Sequence, residues 1–356
     1  MREDTHFRKG RGAGSNVPGR FERTHSESVD DGWTAPDPPS RLATVVQPDR
    51  ARTVITRNQS PDVPFDRSIN PYRGCEHGCV YCFARPTHAY LDLSPGLDFE
   101  TRIFFKEDAA ARLVEELAAP GYRCQTIAFG TNTDPYQPVE RRLEVMRRLL
   151  ETLLRCRHPV SIVTKGALID RDLDLLADFA RHSLVSVMIS ITTLDISLKA
   201  TLEPRAAAPA ARLATVRKLA QAGVPVGVLV APVIPGINDD EIEDIVDASA
   251  AAGARSLGYV LLRLPWEVKP LFEEWLAAQV PEKAGRVMHL IREMHQGRAY
   301  DATWGRRQTG VGPYADLIAR RFALARRRCG LDDRSMPALR TDLFAPPHPG
   351  GQLSLV

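Results

Sequence analysis

Three cysteines lie close together in the stretch NPYRGCEHGCVYCFAR, where Cys75, Cys79 and Cys82 fall within eight residues. A structural zinc site is normally closed by four ligands, and a disulfide needs two. Three thiolates at C-x3-C-x2-C spacing leave one position of a metal centre unfilled. On a 4Fe-4S cluster, three thiolates leave the fourth iron open to an outside ligand. The spacing therefore predicts a cluster whose open iron binds a substrate or cofactor.

The same loop could instead hold zinc, completed by His77 or His88, in a non-catalytic binding module. Zinc sites of that kind usually take paired ligands from two loops, and a second C-x2-C or an H-x3-H pair is absent from the sequence. We therefore prefer the cluster, and we expect His77 to face solvent. The remaining cysteines are scattered, which suits a reducing compartment better than a disulfide framework: Cys124, Cys156 and Cys329.

The composition is that of a globular protein: 356 residues, of which 44% are hydrophobic and 26% are charged. Such a chain is expected to form one large domain with appendages. No apolar run approaches the roughly 20 residues that a membrane span needs, and the N-terminus lacks the apolar core and cleavage site of a signal peptide. We therefore expect a cytoplasmic protein with no membrane partner.

The net charge of +3 is unevenly spread along the chain. Residues 281–340 hold 13 Lys and Arg against 6 Asp and Glu, a local charge of +7. Such a region could attract a polyanion. It could also be a solvated Arg-rich helical surface, because 40 of the 47 basic residues are Arg and charge sign alone predicts a nucleic-acid partner weakly. Both interpretations stay open at this point.

Short β-branched runs alternate with amphipathic helical stretches from Ser68 onward. The runs are SIN (68–70), TIAFG (126–130), VSIVTK (160–165), VSVMISITT (185–193), VGVLVAPVI (226–234) and LGYVLLRL (257–264). Strands buried on both faces and separated by helices indicate parallel β/α units. Six of them predict an α/β fold, a partial (β/α)6 barrel of the TIM type, with the active site at the carboxyl ends of the strands.

The rest of the chain divides into segments around this barrel, which we assign to residues 63–265. Residues 1–62 are rich in Gly, Pro, Ser and charge, and we expect an extended or disordered arm with little core. Residues 266–335 show only helical patterns and predict a helical C-terminal extension. Residues 336–356 return to Pro and Gly, which is typical of a flexible tail.

The cysteine loop, with Tyr81 immediately before the last Cys, resembles the signature of the radical S-adenosylmethionine (radical SAM) superfamily. The resemblance covers residues 65–265 and is closest to the spore photoproduct lyase-like branch. It implies a 4Fe-4S cluster on the three cysteines, with the amino and carboxylate groups of SAM on the open iron. One electron from a flavodoxin- or ferredoxin-type reductant would then cleave SAM to methionine and a 5'-deoxyadenosyl radical.

The resemblance also implies which residues contact SAM. In that branch a Lys after the third strand and a Ser on the fourth contact the cofactor, and an Arg follows the fourth strand. The loop GTNTDPYQPVE offers hydroxyl and amide groups for the methionyl end, because a buried zwitterion needs partners for its charges. Singly, each could instead be a surface lysine, a core hydroxyl or a turn residue. The matching residues are Tyr81, Thr131, Asn132, Thr133, Lys165, Ser190 and Arg205.

One feature departs from the branch. The DNA-repairing lyase is thought to quench its product radical with a Cys in the loop after the second strand, and here that loop, GTNTDPYQ, has none. Cys124 precedes the strand and is expected toward the opposite end of the barrel. Reversal of thymine dimers by the same hydrogen relay is therefore not expected. Tyr136 is either a substitute hydrogen donor or a packed turn residue.

These observations predict a radical SAM enzyme that acts on a damaged or modified nucleic-acid base. The alternatives are a peptide or small metabolite as substrate, and a non-catalytic zinc or iron-sulfur module. The C-terminus also resembles the Q-L-S/D-L-F peptide by which bacterial DNA polymerases and repair proteins bind the sliding clamp, although a fraying tail or an edge strand is the alternative. The residues concerned are Gln352, Leu353, Ser354, Leu355 and Val356, the last in place of Phe.

Overall fold

Two β-sheets carry the fold in the computed structural model, which describes residues 7–22 and 42–347. The strands are β1 (Val45–Pro48), β2 (Ile55–Arg57), β3 (Arg67–Ile69), β4 (Tyr72–Arg73), β5 (Arg102–Phe105), β6 (Ile127–Phe129), β7 (Val160–Thr164), β8 (Val185–Ser190), β9 (Val226–Val233) and β10 (Ser256–Leu261). The helices are α1 (Leu97–Thr101), α2 (Ala109–Leu117), α3 (Glu140–Leu143), α4 (Val145–Arg155), α5 (Leu173–Arg181), α6 (Ile196–Leu202), α7 (Pro209–Gln221), α8 (Ile242–Ala251), α9 (Val268–Gln279), α10 (Pro281–Met294) and α11 (Pro313–Arg328). Short 3-10 helices span Arg85–Leu91, Ala167–Asp172 and Asp239–Glu241.

The larger sheet places the six predicted strands side by side. Its order is β10-β9-β8-β7-β6-β3-β2, in which β3 and β6 to β10 run parallel and β2 pairs antiparallel at one edge. The two edge strands, β10 and β2, do not pair with each other. The smaller sheet has the order β1-β5-β4. The predicted partial (β/α)6 barrel is therefore confirmed.

The core lies between the parallel sheet and the helices that cover it. In β8, VSVMIS, the inward Val185, Val187 and Ile189 are buried. In α4, VMRRLLETLLR, the buried residues recur at the three- and four-residue spacing of one helix face: Val145, Met146, Leu149, Leu150 and Leu153. Burying one such side chain contributes about 1.5–3 kcal/mol. This packing fixes where the strands end, and the functional loops begin at those ends.

One segment connects the two open edges of the parallel sheet, and we call residues 298–310 the edge strap. At the β10 edge, the backbone N–H of Leu261 donates to the carbonyl of Gln308 at 2.8 Å. Beyond the other edge, Asp62 accepts a hydrogen bond from the backbone N–H of Gly305 at 2.6 Å and forms an ion pair with Arg307. The edge strap therefore spans the gap that the missing barrel strands leave.

The N-terminal arm contributes more to the fold than the sequence indicated. Its described residues include β1 and β2, and Ala13 and Val54 are buried. Arg11 is also buried and donates to the carbonyls of Glu100 at 2.9 Å and Leu42 at 2.6 Å. The expectation of an arm with little core is wrong for these residues, because the contacts are made with partners far along the chain.

The C-terminal extension is helical, with α9, α10 and α11 following the barrel. α11 packs against α8, where Arg321 and Glu243 form an ion pair at 2.6 Å. The chain then runs along the amino edge of the sheet, and the Phe344 ring lies 5.4 Å from the ring of Tyr122 and 5.3 Å from that of His158, measured between centroids. Within residues 7–22 and 42–347, no helix is both long and apolar enough to cross a membrane.

Candidate active site

The cysteine loop leaves β4 through two glycines in the left-handed backbone region, Gly74 at φ 78° and Gly78 at φ 69°. A side chain at Gly74 would place its Cβ 2.8 Å from the carbonyl oxygen of Phe99. That carbonyl accepts a hydrogen bond from the backbone N–H of Cys75 at 2.8 Å. The two glycines therefore let the loop fold tightly against α1 at the carboxyl edge of the sheet.

The three loop cysteines are free thiols that lie next to one another. Cys75 and Cys79 are each 7% exposed and Cys82 is half-buried. Burial raises the pKa of all three, and the other two thiols raise that of Cys75 further. Soft sulfur ligands held together in an apolar setting are the donor set of an iron-sulfur cluster. The residues present therefore fit a 4Fe-4S cluster.

The two histidines that could have completed a zinc site are engaged elsewhere. His77 is buried, contrary to the expectation that it faces solvent, and its Nδ1 lies 3.3 Å from Asp134. His88 donates from Nε2 to the carbonyl of Arg102 at 3.0 Å. In the part of the chain that the structure describes, no three Cys, His, Asp or Glu side chains are grouped to hold a single metal ion. An iron-sulfur cluster does not need three side chains around a single ion, because each thiolate binds a different iron of the cluster.

Asp134 ties the cysteine loop to the ends of β6 and β7. Besides His77, its carboxylate accepts from Thr164 Oγ1 at 2.6 Å and from the backbone N–H of Lys165 at 2.7 Å. Burial opposes ionisation, yet His77 and these hydrogen bonds lower the pKa of Asp134 to about 2. Asp134 was not singled out from the sequence, where it lies in the loop TNTDPYQ. The structure shows a buried carboxylate that links two strand ends to the loop.

A second buried carboxylate, Glu203, is the centre of a charged network. It accepts hydrogen bonds from Tyr81 and Thr192 and forms an ion pair with Arg212. Lys165 Nζ lies 3.9 Å away. Burial opposes ionisation, but the charges of Arg212 and Lys165 lower the pKa of Glu203 to about 2. Tyr81 and Lys165 were predicted from the sequence, whereas Glu203 and Arg212 were not, because no local motif marks them.

Three predicted SAM contacts that follow or end β7 and β8 also lie near the cysteine loop. Lys165 Nζ lies 5.8 Å from the centroid of the Tyr81 ring and donates to the carbonyl of Ala231 at 3.2 Å. Ser190 is buried at the end of β8. Arg205 donates its backbone N–H to His77 at 3.1 Å and pairs with Glu76 at 3.0 Å. The structure thus gathers these residues around one loop, and their contact with SAM stays a prediction.

The loop after β6 contacts the segment that leads into the cysteine loop. Asn70 donates to Thr131 Oγ1 at 3.0 Å and accepts from the backbone N–H of Asn132 at 2.9 Å. Thr133 donates to the carbonyl of Tyr72 at 3.3 Å. The three predicted residues therefore lie beside the loop, with part of their hydrogen-bonding capacity already used by the protein.

The N-terminal arm covers the cysteine loop and holds it from the outside. The backbone N–H groups of Gly12 and Ala13 donate to the buried carboxylate of Glu100 at 3.0 and 2.9 Å. Glu100 forms an ion pair with Arg85, whose Nε donates to the carbonyl of Cys79 at 2.9 Å. A Cβ at Gly12 would lie 1.7 Å from the carbonyl oxygen of Gly78. Only glycine therefore allows the arm to approach this closely.

Neither Cys124 nor Tyr136, the one candidate for a substitute hydrogen-atom donor, presents its side chain to the cysteine loop. Cys124 precedes β6 and is therefore at the amino edge of the sheet, as expected. Tyr136 is 1% exposed and belongs to the hydrophobic core. Of its two proposed roles, the packed turn residue is the one that the structure supports. Neither side chain offers a hydrogen atom at the cysteine loop.

With this geometry in place, comparisons with known proteins give the family. The profile of the radical SAM superfamily matches residues 69–248. The chain belongs to the radical SAM superfamily. An uncharacterized protein of Mycobacterium tuberculosis is 42% identical over 232 residues, which cover 65% of this chain and 68% of the relative. An uncharacterized protein of the Acidianus two-tailed virus is 27% identical over 207 residues, covering 56% of this chain and 67% of the relative.

Solved structures of spore photoproduct lyase share the fold of this radical SAM protein. One variant of the lyase gives a TM-score of 0.58 at 17% identity, covering 81% of this chain and 80% of that chain. The lyase complexed with dinucleoside spore photoproduct gives a TM-score of 0.56 at 16% identity, with the same coverage of both chains. A variant with bound AdoMet gives 0.51 at 18% identity, covering 80% of this chain and 78% of that chain. The expected cofactors of the family, a 4Fe-4S cluster and SAM, are confirmed.

Proposed function

We propose that this radical SAM enzyme acts on a damaged or modified base of a nucleic acid. The observation that carries the proposal is a partly exposed aromatic surface beside the cysteine loop, the aromatic rim, formed by Phe83 and the half-buried Arg263 and Tyr300. Phe83 directly follows Cys82 and is 43% exposed. Arg263, two residues beyond β10, lies 4.7 Å from the centroid of the Phe83 ring and 5.9 Å from that of Tyr300.

The aromatic rim suits a flat, unpaired base. Stacking of a base on an aromatic side chain contributes about 1–3 kcal/mol, and arginine planes stack in the same way. Trp304 is 58% exposed on the edge strap, four residues after Tyr300, and the strap also carries the exposed Arg298 and Arg306. The edge strap therefore carries two aromatic side chains flanked by cations, which suits a polyanion that carries bases.

The cofactors would supply the reactive species, and the chain would hold them. When bound, the cluster and SAM supply a carbon-centred radical that removes a hydrogen atom from the substrate. Cys75, Cys79 and Cys82 would bind the cluster. Radical SAM enzymes need a reductant, and we expect one of the flavodoxin or ferredoxin type. Lys165 and Arg205 are suited to the carboxylate or a ribose oxygen of SAM, because both are cations at the carboxyl edge of the sheet.

The other predicted SAM contacts complete this cradle: Tyr81, Thr131, Asn132, Thr133 and Ser190. Their support is their position, since each lies on the cysteine loop or on a strand end next to it. A peptide or small metabolite remains the second candidate substrate class, because aromatic and Arg side chains bind such molecules as well. The two classes differ in salt dependence, since phosphate contacts weaken steeply with ionic strength.

The test is a turnover assay with the anaerobically reconstituted, reduced enzyme, SAM and a panel of oligonucleotides that carry damaged or modified bases. We expect at least one oligonucleotide to stimulate SAM cleavage and to give a new nucleoside product. Phe83→Ala should lose this stimulation while the slow cleavage of SAM without substrate persists. Phe344→Ala, at the opposite edge of the sheet, is the matched control. Stimulation by peptides or metabolites alone, with none by any oligonucleotide, would overturn the proposal.

One partner prediction lies outside the described residues. The clamp-like peptide comprises Gln352, Leu353, Leu355 and Val356, and nothing in the structure bears on it. A sliding clamp would place the enzyme on replicated DNA, so binding of this peptide would favour the nucleic-acid proposal. Titration of a labelled peptide of residues 345–356 against the host clamp, with a Gln352→Ala, Leu355→Ala control, tests it.

A further inference from the structure

A cavity outside the barrel lies between the N-terminal arm and the start of α2. Its volume is about 480 Å³, and residues 48–52, 54, 106–109 and 112 line it. The cavity lies close to the cysteine loop, because the backbone N–H of Lys106 donates to the carbonyl of Pro71 at 3.0 Å and Pro71 is four residues before Cys75. It shares no lining residue with the site described above.

Lys106 is the feature of this cavity that needs an explanation. Its side chain is 9% exposed, yet it makes no hydrogen bond or ion pair with any residue in the described ranges. Burial lowers the pKa of Lys106. Asp49, an acid that lines the same cavity, is held by Arg73 in an ion pair at 2.7 Å. The Lys106 ammonium is not among the sealed polar atoms of the described residues and therefore opens onto the cavity, where an anion that enters can pair with it.

The rest of the cavity wall favours an anion with several charged oxygens. Its arginines are exposed, whereas Lys106 is buried. The first turn of α2 also lines the cavity, and the N-terminus of a nine-residue helix favours negative charge. The charged lining residues are Arg50, Arg52, Lys106 and Arg112 against Asp49, Glu107 and Asp108.

We propose that this cavity binds a phosphate group, and that in turnover the phosphate belongs to the backbone of the nucleic-acid substrate. The second part rests on the proposed function. Lys106 is the inner ligand, and Arg50 and Arg52 meet the phosphate from the entrance. A strand whose base reaches the cysteine loop would then be held by its backbone on the outer side of the arm. Free phosphate is the other source of the same chemistry.

The first measurement is calorimetric titration of inorganic phosphate into the reconstituted full-length enzyme at constant ionic strength. Lys106→Met removes the charge at nearly constant volume, and Lys218→Met, 55% exposed on α7, is the matched control. Phosphate should bind the wild type and Lys218→Met equally and Lys106→Met at least tenfold more weakly. Lys106→Met should melt at the same temperature or higher, because the side chain makes no hydrogen bond or ion pair with the described residues that the change would break. A clearly lower melting temperature would mean a structural partner for Lys106 and would overturn the proposal.

The second measurement separates the two phosphate sources. A labelled single-stranded oligonucleotide is titrated across a range of NaCl concentrations, and Lys106→Met should weaken binding several-fold and reduce the slope of log K against log[salt] by about 1. Loss of phosphate binding with unchanged oligonucleotide binding would overturn the substrate-backbone part alone. Wild-type affinity of Lys106→Met for both probes would overturn the whole proposal. SAM cleavage, measured in parallel, should not change in Lys106→Met, so a failure of the radical chemistry is seen separately.

Discussion

The carboxyl and amino edges of the parallel sheet are built from different kinds of contact. At the carboxyl edge, buried charges meet each other, as in the ion pair of Glu203 with Arg212. At the amino edge, aromatic rings cover the strands, with Phe344 packed against Tyr122 and His158. One edge carries the cysteine loop, and the other carries part of the C-terminal tail.

The different contacts at the two edges indicate different roles, ligand binding at the carboxyl edge and stability at the amino edge. A buried ion pair loses most of its Coulomb energy to desolvation, and apolar residues of the same volume would often stabilise a protein as well or better. Stability alone therefore does not account for the charges at the carboxyl edge. Fixed charges next to a cysteine loop do suit a zwitterionic cofactor, because they need no rearrangement when it binds. We infer that the amino edge stabilises the barrel and that the carboxyl edge is shaped for ligands.

The largest expected effect is at the cysteine loop. Cys79→Ala should abolish both the 4Fe-4S cluster and reductive SAM cleavage, because two thiolates cannot replace three. The fold should persist, since the amino edge and the larger core cluster around the parallel sheet are untouched. Iron and labile sulfide content, SAM cleavage and circular dichroism measure the three outcomes. Bound iron and SAM cleavage in this variant would refute the ligand assignment.

Removing the charge of Glu203 should be the costliest change to stability. Glu203→Gln leaves the buried Arg212 without its counter-ion, which costs about 3–5 kcal/mol of unfolding free energy. Glu115→Gln breaks the exposed ion pair with Arg112 and should cost under about 1 kcal/mol. Urea unfolding of both variants gives the comparison. Equal losses in the two would show that the carboxyl-edge network is not electrostatically distinct.

Acid should act on the amino edge through His158. Burial lowers the pKa of His158 from 6.5 to about 4. In the unfolded chain, the His158 imidazole is protonated below pH 6.5. In the folded protein, it is protonated only below about pH 4. The contribution of His158 to the free energy of unfolding is therefore fully present above pH 6.5. It should be lost as the pH drops to 4, which lowers the free energy of unfolding by about 3 kcal/mol.

Urea unfolding at a series of pH values measures this dependence. His158→Gln should flatten it in part, because His88, whose pKa burial also lowers to about 4, titrates in the same range. Identical pH profiles for the wild type and His158→Gln would contradict the assignment of a neutral, buried imidazole at this edge.

A smaller loss is expected from Phe344→Ala. The ring is half-buried, and its removal should cost about 1–2 kcal/mol of unfolding free energy through lost aromatic contacts. Iron content and SAM cleavage should stay at wild-type levels, which would sharpen the division between the edges. The exposed Leu324→Ala on α11 is the control for a surface truncation. A change in SAM cleavage in Phe344→Ala would break the comparison.

The smallest effects should come from single cations at the carboxyl edge. Lys165→Met and Arg205→Met should each weaken SAM binding about tenfold, equivalent to about 1.4 kcal/mol, and leave iron content intact. Equilibrium binding of SAM to the reconstituted variants tests this. Unchanged affinity in both variants would mean that SAM binds elsewhere on the loop.

The parts of this molecule that could be read from its sequence are local ones. The cysteine ligands lie on one loop, and each strand of the barrel is predicted by its own run of β-branched residues. Partners that are distant in sequence could not be read in this way. His77 was expected to face solvent because Asp134 is not near it in the chain, and the arm was expected to be loose because Gly12 meets Glu100 across 88 residues.

The edge strap has a consequence for how the chain assembles. The contact of Gly12 with Glu100 needs only the first part of the chain, whereas Arg307 meets Asp62 across 245 residues. During synthesis the N-terminal part of a chain emerges first, and contacts between distant residues slow folding. The arm can therefore settle over the cysteine loop early. The barrel wall stays open along one side until Arg307 has left the ribosome, so the strap takes its place long after the arm.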